Sequence, residues 1–151
     1  MDISSLINLD SIFPKLKATS KKQVLQELGL IAKSRINKPS HEITNVLIER
    51  ERLGSTGVGH GVAIPHGRFN EINQISGVFV KLEKPISYDA LDDQPVDLIF
   101  LLLAPEGAGA DHLKALATVS RILRDQSICD KLRGADSSDA IYAILNSLHQ
   151  T

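Results

Sequence analysis

The sequence predicts an α/β fold, a single-domain sandwich in which helices cover a central sheet. Helical and strand-like periodicities alternate along the chain. Residues 96–103 are almost entirely apolar, as is typical of a strand buried on both faces. The length of 151 residues fits one domain, and a hydrophobic fraction of 42% can build a core without disulfides. We therefore expect one domain over residues 1–151, with its core at about residues 10–148.

The chain begins with a lead-in that contains a short strand or turn at residues 12–16. Thr19 or Ser20 then caps a helix over residues 21–34, where apolar side chains recur at helical spacing. The predicted buried stripe of this helix consists of Val24, Leu25, Leu28, Leu30 and Ile31.

A second helix is predicted to begin at Pro39, with Ser40 as its cap. It ends in the charged run 49–52, just before Gly54. Its predicted buried stripe consists of Ile43, Val46, Leu47 and Ile48.

Residues 54–67 contain five glycines and a proline, which excludes a helix. Residues 62–64 predict a short strand that Pro65 ends. Alternating β-branched residues predict a longer strand over 74–83, and the apolar segment 96–103 predicts another.

The last part of the chain is predicted to be helical. Asp111 caps a helix that runs from His112 to about Arg124. A short helix over 127–133 and a final helix over 137–148 follow.

Composition excludes several classes of function. The net charge of -1 and an aromatic content of 4% argue against a nucleic-acid partner. The longest apolar run, residues 98–105, is far too short for a membrane span, and the acidic start MDISSLINLD does not resemble a signal peptide. A cytoplasmic protein is expected. Cys129, the single cysteine, excludes a disulfide framework and is predicted to be a core residue.

His66 is the most suggestive of the five histidines, which are His41, His60, His66, His112 and His149. A neutral imidazole nitrogen is a good nucleophile near neutral pH. Pro65 fixes the backbone before His66, Gly67 leaves room beside the ring, and Arg68 is close. The alternative is an ordinary histidine in a surface loop.

His112 lies in the first turn of a predicted helix, on the same face as the apolar residues Leu116, Val119 and Leu123. Its ring is therefore expected to point inward, near the helix end that favours anions. The alternative is a histidine that only satisfies backbone groups at the helix start.

Arg50 and Arg52 end the helix that precedes the glycine segment. Either arginine can clamp a phosphoryl oxygen, or both can simply stabilise the helix C-terminus. The glycines lack the lysine of a P-loop and give only a weak dinucleotide signal. A metal cluster could be formed by His60, His66, His112 and Asp111. However, His60 and His66 are six residues apart in a segment with glycine and proline, which is not a rigid ligand spacing. Neither a metal nor a cofactor is therefore expected.

The segment GSTGVGHGVAIPHGR, residues 54–68, resembles the active-site signature of the mannitol/fructose-type enzyme IIA domains. These domains, also named PTS EIIA type-2, are phosphocarriers of the bacterial sugar phosphotransferase system. DHLKAL, residues 111–116, resembles their second histidine motif. Residues 77–103, GVFVKLEKPISYDALDDQPVDLIFLLL, resemble the nitrogen-regulatory IIA branch of the family. The similarity spans roughly residues 20–148.

The resemblance implies a mixed β-sheet flanked by helices, and it implies a role for three residues. His66 matches the phosphorylated histidine, and His112 matches the histidine that orients or stabilises the phosphoryl group. Arg50, sixteen residues before His66, matches an arginine that stabilises the phosphoryl group. His60 matches no functional residue and is predicted to be dispensable.

The resemblance further implies a regulatory phosphocarrier rather than an enzyme that turns over a small molecule. An HPr-type carrier of the nitrogen branch would supply phosphate derived from phosphoenolpyruvate. Potassium-transport proteins or sensor kinases would be the regulated partners. The donor is expected to dock on an exposed, partly apolar surface at Ile64, Pro65 and the glycine segment.

Three alternatives stay open. From the same family, a free-standing fructose- or mannitol-type component that passes phosphate to a IIB domain also fits. A metal-dependent hydrolase is an alternative from another class. A binding module that has lost phosphorylation is the third, and the intact His66 and His112 argue against it.

Overall fold

The computed structural model describes residues 2–147, in which six strands form one sheet with five α-helices around it. The strands are β1 (Ile12–Leu16), β2 (Gly57–Gly59), β3 (Val62–Ala63), β4 (His66–Phe69), β5 (Ser76–Ile86) and β6 (Val96–Pro105). The helices are α1 (Lys21–Ile36), α2 (Ser40–Arg52), α3 (Ala110–Leu123), α4 (Gln126–Gly134) and α5 (Ser138–Ser147). Two short 3₁₀ helices, Ile3–Ser5 and Leu9–Ser11, precede β1. The predicted α/β fold is confirmed.

The sheet is mixed, and β6 is its central strand. The strand order is β1-β5-β6-β3-β2, and β4 also pairs with β6. β6 runs antiparallel to β5 but parallel to β3 and β4. Since β5 covers one edge of β6, β3 and β4 follow one another along the other edge. His66, the first residue of β4, lies opposite Leu102 of β6.

Alternate residues of β6 face two separate apolar cores, so the prediction of a strand buried on both faces is confirmed. Ile99, Leu101 and Leu103 pack under α1 and α2. Leu98, Phe100 and Leu102 pack under α3, α4 and α5. Cys129 lies fully buried in this second core, as predicted, and burial raises the pKa of its thiol.

The position and the N-cap of α1 agree with the prediction, but its length and one residue of its predicted buried stripe differ. Ser20 caps α1 by accepting a hydrogen bond from the amide of Gln23 at 3.1 Å. The helix continues two residues beyond residue 34, to Ile36. The prediction that Leu30 is buried is wrong, because its side chain is 50% exposed. Two residues beyond Leu28, it lies on the opposite side of the helix.

Two predicted helix caps are wrong. Pro39 occupies the N-cap position of α2, and Ser40 is the first helical residue. Gly109 occupies the N-cap position of α3, while Asp111 lies in the first turn and makes no capping hydrogen bond. Glycine at residue 109 permits the positive φ of 44° with which the chain enters α3.

The final helix begins at Ser138, one residue later than predicted. Leu148, its predicted end, and His149 lie outside the described residues. Within residues 2–147, no helix combines the length and the apolar character that crossing a bilayer requires.

Two strands of the glycine segment were not predicted. β2 and β4 are three and four residues long and are rich in glycine, so neither has the side-chain alternation that identifies a strand. Both form because a partner strand supplies their hydrogen bonds, β3 for β2 and β6 for β4. The strand predicted over 74–83 is longer and ends at Ile86.

Candidate functional site

His66 projects from the start of β4 toward α3. Successive residues of a strand face opposite sides, so His66 and Arg68 share one face, while Gly67 and Phe69 share the other. Phe69 belongs to the core under α1 and α2. A Cβ atom on Gly67 would lie only 2.7 Å from Cγ1 of Val46, so α2 can approach β4 this closely because residue 67 is glycine.

Two contacts fix the protonation of the His66 ring. Nδ1 lies 2.9 Å from the carbonyl oxygen of Ile64, and a carbonyl can only accept, so Nδ1 carries the proton. Nε2 is therefore unprotonated, and its lone pair accepts a hydrogen bond from the Nε–H of Arg50 at 3.2 Å. The Ile64–Pro65 peptide bond is trans.

His112 lies in the first turn of α3 and is only 4% exposed, as its inward orientation predicted. Its ring meets that of His66 edge-on, with the centroids 5.5 Å apart and an interplanar angle of 71°. Arg68 donates from Nε to Nδ1 of His112 at 3.1 Å. Nε2 of His112 is buried and has no hydrogen-bond partner among residues 2–147.

Both imidazoles favour the neutral form. Burial is the largest cause that lowers the pKa of His66, and the nearby Arg50 and Arg68 lower it further, against the Ile64 carbonyl and Glu51. Burial also lowers the pKa of His112, with contributions from His66 and Arg68. A neutral ring keeps the nucleophilic lone pair that a protonated ring would lose.

The structure distinguishes the two candidate arginines. Arg50 contacts His66, and its Nη1 also donates to the carbonyl oxygen of Gly54 at 2.9 Å, which fixes the start of the glycine segment. Arg52 is exposed and pairs with Glu49. The geometry thus brings His66, His112 and Arg50 to one cleft.

Arg68 was not recognised as a site residue from the sequence. The reason is that β4 was not predicted. A predicted strand starting at His66 would have placed Arg68 on the same face as His66. Short strands that depend on distant partners cannot be recognised from local pattern.

The histidines and arginines line a cleft of about 490 Å³ between α2, β4 and α3. Its apolar rim includes Leu53, which is 85% exposed, and Leu113, which is 63% exposed. Ile64 and Pro65 are buried, so the prediction is wrong for these two residues of the docking surface, whereas Val58 of the glycine segment is 47% exposed. The turns after α2 and at the start of α3 present the exposed leucines instead.

His60 is separate from the two-histidine cluster in its contacts. Its backbone has a positive φ of 56°, and its amide donates to Oδ2 of Asp92 at 2.9 Å. Among the residues that the structure describes, no group of three or more histidine, cysteine, aspartate or glutamate side chains is arranged to hold a metal ion. His41 is exposed on α2.

Arg133, at the end of α4, anchors the glycine segment. Its guanidinium donates from Nε and Nη2 to the carboxylate of Asp97 at 2.9–3.1 Å. Nη2 also donates to the carbonyl oxygen of His60 at 2.9 Å. A Cβ atom on Gly61 would lie 2.4 Å from this nitrogen, so the close approach requires glycine there. Arg133 thereby links His60, in the segment that leads to His66, to Asp97 at the start of β6.

The substitution Arg133→Met is expected to lower the free energy of unfolding by about 1–3 kcal/mol, because it leaves the partly buried Asp97 without its charged partner. Urea denaturation measures this loss. Arg121→Met, at an exposed position of α3, is the matched control and should change stability little. Equal stabilities for the two variants would contradict the anchoring role.

The family model described as "Phosphoenolpyruvate-dependent sugar phosphotransferase system, EIIA 2" matches residues 5–148. A nitrogen regulatory protein of Bradyrhizobium diazoefficiens is 52% identical over 145 residues, which cover 96% of this chain and 95% of the relative. The crystal structure of nitrogen regulatory protein IIA-Ntr from Neisseria meningitidis superposes with a TM-score of 0.90 at 37% identity, covering 95% and 98% of the two chains.

The mannitol IIA structure from Escherichia coli superposes with a TM-score of 0.78, covering 92% of this chain and 98% of that one. At 22% identity, this match shows the fold alone. Together the comparisons confirm the mannitol-type fold and the resemblance to the nitrogen-regulatory branch.

Proposed function

Since the chain belongs to the EIIA type-2 family of the phosphoenolpyruvate-dependent sugar phosphotransferase system, we propose that it is a regulatory phosphocarrier whose His66 accepts a phosphoryl group on Nε2. One observation carries this proposal: the hydrogen bond of Nδ1 to Ile64 leaves Nε2 unprotonated, and its lone pair accepts from the cleft arginine Arg50. The family match supports treating residues 1–151 as one such domain.

The donor is an HPr-type carrier that bears phosphohistidine derived from phosphoenolpyruvate. Nε2 of His66 attacks the phosphorus in line, and a new P–N bond forms as the donor's P–N bond breaks. The donor nitrogen leaves with its electron pair, and the proton of His66 stays on Nδ1, which continues to donate a hydrogen bond to the Ile64 carbonyl. No cofactor or metal takes part in this exchange.

Arg50 has two roles in this step. Its Nε–H occupies the Nε2 lone pair of His66 in the unphosphorylated protein, so it must move aside before the attack. The same guanidinium then lies beside the new P–N bond, where it can pair with two phosphoryl oxygens. His112 contributes a further donor from the opposite wall of the cleft.

The exposed leucines on the rim, Leu53 and Leu113, form the apolar part of the surface on which the donor docks. Phosphorylation adds about two negative charges between Arg50, Arg68 and this rim. A partner that binds the unphosphorylated surface is then repelled, which makes the surface a switch. Potassium-transport proteins and sensor kinases in the cytoplasm are the proposed classes of partner.

The pH dependence of phosphoryl uptake follows from the lowered pKa of His66. The imidazole protonates only in more acidic solution than a free histidine does, so the uptake rate should be constant at neutral pH and fall only at a pH below the ordinary histidine pKa of 6.5. Stopped uptake reactions at a series of pH values, with the carrier kept saturating, give this profile. A rate that rises toward acid pH would contradict a neutral nucleophile.

The proposal is tested by intact-mass measurement after incubation with phosphoenolpyruvate, enzyme I and either a nitrogen-branch or a sugar-branch carrier. We expect gain of one acid-labile phosphoryl group, faster with the nitrogen-branch carrier. Uptake from the sugar-branch carrier, followed by passage to a fructose- or mannitol-type IIB domain, would support the transport alternative. No uptake from either carrier would refute the phosphocarrier proposal.

A further inference from the structure

Arg68 lines the cleft together with His66, His112 and Arg50, and it contacts His112 rather than His66. Arg68 lies in β4 two residues after His66, so its side chain projects from the same face of the strand, toward α3. Its Nε–H points to Nδ1 of His112, with the two nitrogens 3.1 Å apart. The residue itself is exposed, so neither packing nor burial explains this orientation.

The contact determines which nitrogen of His112 carries the proton. A guanidinium has donors only and stays protonated in proteins. Nδ1 of His112 must therefore accept, and the proton of the neutral ring must lie on Nε2. The Nδ1–H tautomer and the doubly protonated ring would both direct an N–H at the guanidinium, which is unfavourable.

The proton on Nε2 has no acceptor. This nitrogen is buried and unpaired among residues 2–147, although buried polar groups are nearly always hydrogen-bonded. The ring lies edge-on to His66 with the centroids 5.5 Å apart, so a group bonded to His66 would enter its surroundings. A phosphoryl oxygen is an acceptor of the required kind.

We propose that Arg68 is a positioning residue that holds neutral His112 in the Nε2–H tautomer, so that His112 donates to the phosphoryl group carried by His66. This inference rests on the proposed role of His66 as the phosphorylated residue. It assigns Arg68 an action through His112, distinct from the direct role of Arg50.

The charged groups around His112 determine how its titration should respond. Arg68 and His66 face it from β4, and Arg50 and Glu49 of α2 line the same cleft. On α3, Asp111 and Lys114 are its exposed neighbours. Removal of Arg68 deletes the one cation that donates directly to the ring, so protonation of His112 becomes easier.

The experiment compares wild type with Arg68→Met, which keeps the length of the side chain but removes the donor and the charge. Arg68→Lys keeps a cation and a donor. Arg121→Met, on the helix α3 that also carries His112, is the control for loss of a surface charge. Nitrogen-15 spectra of the imidazole rings, recorded on the unphosphorylated proteins during a pH titration, report both the tautomer and the pKa of His112.

In wild type we expect the Nε2–H tautomer alone. In Arg68→Met we expect a mixture of tautomers, a raised pKa of His112 and phosphoryl uptake slowed about tenfold. Arg68→Lys should restore part of the rate, and Arg121→Met should match wild type in every measurement. The amide spectrum of each variant shows whether it has folded, and Arg68→Gln replaces Arg68→Met if that variant has not.

An unchanged tautomer and an unchanged pKa of His112 in Arg68→Met would overturn the proposal. A changed tautomer with an unchanged uptake rate would overturn the link to phosphoryl transfer. If wild type takes up no phosphoryl group, the proposed function fails, whereas the ring spectra still decide whether Arg68 fixes the tautomer of His112.

Discussion

Replacing His66 with alanine is expected to abolish phosphoryl uptake without unfolding the protein. His66 is half-buried at the start of β4 with its unprotonated Nε2 facing the cleft arginine Arg50, whereas His112 is buried. Nδ1 of His112 accepts from Arg68, and its Nε2 bears a proton. Intact-mass measurement after incubation with the phosphorylated carrier should show wild type modified and His66→Ala unmodified.

Two further variants make this result specific. His60→Asn should be phosphorylated like wild type, because His60 bonds to Asp92 and Arg133 through its backbone and asparagine tolerates its positive φ. His112→Leu should slow uptake about a hundredfold, the typical effect of removing one donor to a developing charge. A phosphorylated His66→Ala protein would show that another residue accepts the group.

The largest effect on stability is expected from Leu101→Ala in the central strand. Leu101 is fully buried in the core under α1 and α2, and its truncation leaves a cavity in the middle of β6. We expect the free energy of unfolding to fall by about 2–5 kcal/mol. Urea denaturation followed by circular dichroism measures the change.

Leu91→Ala is the matched control, because Leu91 is 78% exposed and its loss should change stability by less than about 0.5 kcal/mol. Equal effects of the two substitutions would contradict the placement of β6 between two apolar cores.

Periodicity in the sequence predicted the elements that carry their own apolar pattern. α1, β5 and β6 were found at nearly their observed positions because alternation or helical spacing directly reflects which face is buried. The inward direction of His112 followed from the same reasoning, since Val119 and Leu123 share its face of α3 and are buried.

Features that depend on distant parts of the chain were not predicted. β4 exists through pairing with residues of β6 that are 36 positions later in the sequence, and Arg68 is placed by that strand. The anchoring of His60 by Arg133 joins residues 73 positions apart. The exposed rim was misplaced because the burial of Ile64 and Pro65 depends on α3 and β6, which pack around them only in the folded protein.

The resemblance to a known family was needed for the roles of the site residues. Local pattern left both His66 and His112 with ordinary structural explanations, since a histidine after proline or near a helix start is common. The geometry adds the tautomers of the two imidazole rings, which neither the local sequence pattern nor the family resemblance specified. These follow from one carbonyl and two arginines that touch the ring nitrogens.

The most direct test of the central claim is to identify the phosphorylated atom. Nitrogen-15 and phosphorus-31 spectra of the wild-type protein, recorded before and after phosphorylation by the nitrogen-branch carrier, distinguish the two nitrogens of His66. We predict that the phosphoryl group resides on Nε2, while Nδ1 keeps its proton and its hydrogen bond to the Ile64 carbonyl. A phosphoryl group on Nδ1 of His66, or on another residue, would contradict the account.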